Sequence, residues 1–177
     1  MWSGRQEVMV DVRELLEELF GRIPDHVHRA VDGLSAAELT EAPAPGVNTI
    51  GWLVWHLTRV QDHHVSELLE REQVWTTGPW PARFGLESDP DNTGYGHRAD
   101  EVAQVRPDGP EVLIGYYDAV AARTAELLAD LADGDLDRVV DERWNPPVTL
   151  GVRLVSIADD DIQHAGQAAY LRGLLGR

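Results

Sequence analysis

Two short stretches of this chain carry residues of types and spacings that could do chemistry. WHLTRVQDHH places His56 and His63 seven residues apart, two helical turns along one stripe, with His64 beside them. Near the other end, DDDIQHAGQ sets Asp160 four residues before His164 and Asp161 three before it. On a helix, either spacing puts a carboxylate and an imidazole one turn apart on one face, within reach of the same ion. The stripe Leu154, Ile157, Asp161, His164, Ala168, Leu171 and Leu175 is predicted to face inward, with Asp160 adjoining it. Ionic groups in an apolar stripe need a partner, since desolvating an unpaired charge costs several kcal/mol. A divalent cation would satisfy both groups at once. The plainer alternative is a hydrogen-bonded core histidine and a simple Asp–His ion pair, the three aspartates being a solvated face. His26 and His28, beside Asp25 and Arg29, are expected to face water, and His97 to sit in a loop.

Two absences narrow the chemistry. With no cysteine there is no disulfide, thiolate ligand or cysteine nucleophile. All fifteen basic residues are arginine, so lysine Schiff-base chemistry is excluded as well. A net charge of −16 opposes the neutralisation of phosphates on which nucleic-acid binding rests, and disfavours anionic membrane surfaces. The expected partner is a small molecule or a second copy of the chain. The first twenty residues carry charges at helical intervals, unlike a signal peptide, and no run reaches the ~20 apolar residues of a membrane span. A cytoplasmic location is the expectation.

The elements that must position these residues are helices. With 43% hydrophobic and 26% charged residues over 177 positions, the chain has the composition and length of one globular domain, residues 1–177. From Glu7 to about Val31 the apolar positions Val8, Val12, Leu15, Leu16, Leu19, Ile23, Val27 and Val31 recur at spacings of three and four, with Pro24 expected to kink or divide the helix. Ser35 with Glu38 forms a capping box for a short turn. Asn48 or Thr49 caps a second helix predicted to reach about Val74. Residues 75–109, rich in glycine and proline, form a long loop, and long ordered loops are often functional. A third helix is predicted over about Pro110 to Leu131, and a fourth, capped by Thr149, to about Leu175 with Gly176 stopping it. Between them ERWNPPV reads as extended, leaving room for one short strand pair. Four amphipathic helices argue for an all-α four-helix bundle with a long connection between helices two and three.

NTIGWLVWHLTRVQDHHV resembles the second helix of the DinB-like superfamily, which includes the mycothiol-dependent maleylpyruvate isomerases: an N-[ST]-I start followed by one ligand histidine. DDDIQHAGQAAYLRGLLG resembles that family's fourth-helix signature, a ligand, three residues, a histidine, a G-Q pair and a Leu-Arg-x-Leu-Leu ending. The likeness spans the whole chain. It implies a metal-binding bundle whose ligands fall on His56, Asp160 and His164, with Asp161 the alternative one residue on. Many relatives have histidine or glutamate where Asp160 stands. GYGH and RFGL, the all-arginine composition and the missing C-terminal domain of the isomerases point to a separate actinobacterial branch.

Three protein ligands leave open positions, as in catalytic metal sites. Thiol chemistry in a cysteine-free chain needs a soluble thiol, mycothiol or bacillithiol, held ionised by the metal, with zinc or nickel foremost. Arg59, one turn beyond His56, is a candidate for an acidic cofactor group or a surface ion pair. His63 and His64 are candidates for proton transfer, for supporting the ligands, or for plain polar surface. The leading function is a thiol-dependent transferase or isomerase. The alternatives are a metal-activated hydrolase and a non-catalytic bundle that binds a metal or small molecule. The resemblance also implies pairing, and Trp2, Trp75, Trp80 and Trp144, off the clear core stripes, are expected either at a homodimer interface or as a roof over the metal pocket.

Overall fold

The computed structural model describes residues 11–132 and 134–177. Four long helices dominate it: α1 (Val12–Val31), α3 (Ile50–Leu68), α7 (Pro110–Ala129) and α8 (Leu150–Leu174). Four single-turn helices punctuate the connections: α2 (Ala36–Leu39), α4 (Val74–Thr77), α5 (Trp80–Arg83) and α6 (Ala99–Val102). A 3₁₀ turn at Asp135–Asp137 precedes a small antiparallel pair, β1 (Val139–Asp141) and β2 (Val148–Thr149), in register Val139 to Thr149 and Asp141 to Val148. The long helices pack α3 on α8, α8 on α1, α1 on α7 and α7 on α3, a closed ring around one apolar core. The site stretches therefore sit on neighbouring helices. No described helix is long and apolar enough to cross a membrane.

Local chemistry starts the helices where expected. Thr49 accepts Trp52 N–H at 3.1 Å, Thr149 accepts Val152 N–H at 3.4 Å, and Ser35 and Glu38 form the reciprocal capping box. Gly176, at φ +72°, ends α8.

Three expectations need correcting. Helix α1 is not divided at Pro24, because the stripe Phe20, Ile23, Val27 and Ala30 continues past it into the core. Val12 and Leu15 are exposed, the inward edge being Leu16 and Phe20, and Val8 falls outside the described residues. Helix α3 stops at Leu68, six residues short of Val74. Glu70 there turns left-handed at φ +54°, and buried Asp62 accepts Val74 N–H at 2.9 Å and Trp75 N–H at 2.7 Å. That carboxylate also takes Tyr116 O–H at 2.8 Å, so it starts α4 and ties the loop to α7.

The tryptophans divide. Trp75 is buried, 5.4 Å from the Tyr116 ring and 6.1 Å from Trp55, which makes it core instead of interface or roof. Trp80 leans on Tyr116 at 5.4 Å, Trp144 stands 65% exposed between β1 and β2, and Trp2 lies outside the described residues.

Candidate metal centre

His56, on α3, is almost fully buried because its helix is covered on every side through Arg59. Trp52, one turn earlier, stacks on its ring at 4.6 Å and 12°. Its Nδ1 lies 2.6 Å from the Thr93 carbonyl. A carbonyl only accepts, so Nδ1 carries the proton and the Nε2 lone pair is left for a ligand. The loop reaches this close because Gly94 follows at φ +89°: a Cβ there would stand 2.9 Å from His56 Nδ1 and 2.8 Å from Trp55 Cζ3. Burial pushes the His56 pKa down against the Thr93 bond, which favours the neutral ring a metal needs.

From α8, His164 comes edge-on to His56 with ring centroids 4.9 Å apart. Its Nδ1 meets Gln167 Oε1 at 2.9 Å and its Nε2 faces Asp160 Oδ1 at 3.5 Å. The bond to Asp160 draws the His164 pKa upward. The other Asp160 oxygen is buried without a hydrogen-bond partner among the described residues.

One ligand atom each from His56, Asp160 and His164 lies within 4.8 Å of the others. These donors fit a divalent ion: two imidazoles, each with Nδ1 occupied, and a carboxylate with an orphaned buried oxygen. Asp161 stands outside the group. It is fully buried, both of its oxygens lack partners among the described residues, and burial holds its carboxyl well above the ordinary range. Beside these three side chains opens a cleft of about 430 Å³ lined by Val60, His63, His64 and Tyr95, with His56 and Asp160 on its wall.

Arg59 is not on that wall. It is fully buried, and its guanidinium donates to the carbonyls of Asn92 (3.0 Å) and Pro90 (2.9 Å), to Gln73 Oε1 (2.8 Å) and to Tyr116 Oη (3.3 Å). Of its two candidate roles, contact with an acidic cofactor group and a surface ion pair, burial leaves neither: Arg59 stands 3.6 Å from equally buried Asp62 and pins the 89–92 loop beside the site. Two further residues that the spacing did not single out matter here. Thr93 works through its backbone, which carries no sequence signal, and Gln73 through a contact formed only by folding. His97, in the same loop, accepts Trp52 Nε1–H at 3.2 Å and meets Asn92 Oδ1 at 2.9 Å. His28, by contrast, pairs with Asp118 at 2.7 Å on the surface.

Comparison with known proteins agrees with this architecture. Residues 15–176 match the model of the family Mycothiol-S-transferase. The crystal structure of a conserved protein from Enterococcus faecalis is 31% identical, covers 96% of this chain and 100% of its own, and superposes with a TM-score of 0.85. No protein of curated function matches. With nearly its whole length matched, the chain belongs to the mycothiol S-transferase family of DinB-like helical bundles.

Proposed function

We propose that the protein is a metal-dependent S-transferase that joins a low-molecular-weight thiol such as mycothiol to a small electrophile. The observation that carries this reading is the half-built coordination sphere on an open cleft: His56, Asp160 and His164 offer three ligands, and the chain has no cysteine of its own. A divalent ion bound there, zinc or nickel by the ligand set, would acidify a coordinated thiol and hold it as thiolate.

The residues of the chain set the conditions for that chemistry. Thr93 and Gln167 engage Nδ1 of the two imidazoles, which leaves Nε2 of each as the ligating atom. Trp52, packed on His56 and edge-on to His164 at 6.3 Å, keeps water from one side and lowers the local dielectric. The cleft seats both reactants next to each other, which replaces an encounter of two solutes by one of bound neighbours.

The test is direct. Purified protein loaded with one equivalent of zinc or nickel is incubated with mycothiol, bacillithiol or cysteine and a panel of electrophiles. The expected result is metal-dependent thioether formation. Product formed at equal rates without thiol would mean a hydrolase, and bound metal with no turnover at all would mean a binding protein.

A further inference from the structure

The hydrogen bonds behind His63 decide which of its ring nitrogens carries a proton. Arginine has only donors, so the contact from Arg59 to Gln73 at 2.8 Å must end on the amide oxygen. The Gln73 NH₂ then faces the other way. It reaches the Pro90 carbonyl at 3.1 Å and His63 Nδ1 at 3.2 Å. The carbonyl can only accept, which requires the same amide orientation. With one amide hydrogen committed to each neighbour, His63 Nδ1 is an acceptor, and the neutral ring carries its proton on Nε2. That N–H makes no hydrogen bond among the described residues, on a side chain that lines the cleft with His56 and Asp160.

His63, His64 and Glu67 also form a second group whose ligating atoms lie within 4.8 Å of one another. The same network argues against a cation there. Arg153, held by Asp141 at 3.0 Å, points NH1 at His64 Nε2 from 3.2 Å, so a permanent positive charge stands against the group. Ligation through His63 Nε2 would move its proton to Nδ1, against the Gln73 N–H. Ligation through Nδ1 would displace Gln73.

We propose that His63 is a substrate-contacting donor: its Nε2–H binds the oxygen of the electrophile on which negative charge gathers during thiol attack. This rests on the S-transferase reading, and it names the substrate class as electrophiles with an oxygen on or conjugated to the reacting carbon, epoxides and α,β-unsaturated carbonyls. In the step, the sulfur electron pair forms the C–S bond. The C–O pair of the epoxide, or the π pair of the enone, moves onto oxygen. His63 stabilises that oxyanion and keeps its own proton, and water delivers the proton that neutralises the product. The donor is present in the neutral ring with this tautomer and in the protonated ring alike. Loss of one such donor lowers turnover by ~10²–10³-fold in acyl-transfer enzymes.

Long-range ¹H–¹⁵N correlation of histidine-labelled, zinc-loaded protein reads the tautomer directly, and the expected His63 signal has the proton on Nε2. His63→Leu should lower kcat about 100-fold or more with little change in the KM for thiol, while His63→Gln, which keeps an N–H, should recover at least a tenth of wild-type turnover. Zinc titration should end at one equivalent in wild type and in His63→Leu. A His63 proton on Nδ1 alone, a second zinc lost on mutation, or equal kcat in His63→Leu and wild type would each overturn the proposal. The two readings separate cleanly. Thiol transfer with the Nδ1 tautomer removes the donor and leaves the function. The Nε2 tautomer in a protein that transfers no thiol removes the function.

Discussion

Gly94→Ala is the perturbation that most directly probes how the loop controls the metal centre. At φ +89° an alanine pays the left-handed cost of about 1–2 kcal/mol. Its methyl would also stand 2.8 Å from Trp55 Cζ3, 2.9 Å from His56 Nδ1 and 3.3 Å from Trp52 Cζ2. Trp55 is fully buried against Trp75 and cannot withdraw, so the loop must retreat, at an overpacking cost of about 1–3 kcal/mol. The sum is about 2–5 kcal/mol of stability. Retreat of residue 94 lengthens the 2.6 Å bond from His56 to the adjacent Thr93 carbonyl, and loss of such a supporting bond lowers metal affinity by about 10–100-fold. Gly96→Ala is the matched control: φ is +77° but nothing lies within 4 Å of its Cβ, so only the backbone cost applies. Urea denaturation of the metal-free variants gives the stability change, and zinc competition against a chromophoric chelator gives the affinity. Equal zinc affinity in Gly94→Ala and Gly96→Ala would refute the claim that the loop orients His56.

Other outcomes follow from the same geometry. Elemental analysis of protein purified without added metal should find close to one ion per chain, nearly lost in His164→Ala and Asp160→Ala and kept in Asp161→Asn; the reverse pattern for the two aspartates would shift the ligand by one residue. Burial holds His64 down to about pKa 4 against 6.5 unfolded, so the neutral ring favours folding above pH 6.5 and that contribution fades as pH falls from 6.5 toward 4. The loss reaches about 3 kcal/mol, and His64→Gln should flatten this part of the stability–pH curve of the metal-free protein, measured by denaturant titration; an unchanged curve would contradict it. If the chain pairs through exposed Trp144, Trp144→Ala should halve the sedimenting mass while Trp75→Phe leaves it unaltered; wild type sedimenting at 19.6 kDa at high concentration would exclude the dimer.

Much of this protein was legible along the chain because the governing interactions are local. Thr49, Thr149 and the Ser35–Glu38 pair mark helix starts by bonding within three residues of themselves, and the four-residue step from Asp160 to His164 needs only helical geometry. The family likeness rests on the same local motifs. What only tertiary structure decided involves partners far apart in sequence. Helix α3 ends at Leu68 because Asp62 captures amides twelve and thirteen residues on, a bond that periodicity cannot anticipate. Trp75 becomes core, and Arg59 a buried clamp, because the loop folds back onto α3 and α7. The candidate site is assembled because α3 lies beside α8, so that His56 meets Asp160 and His164. The proton on each imidazole is a tertiary matter as well: Thr93 sets it for His56 and Gln73 for His63, and a ring nitrogen's role depends on the atom that faces it and not on its place in the chain.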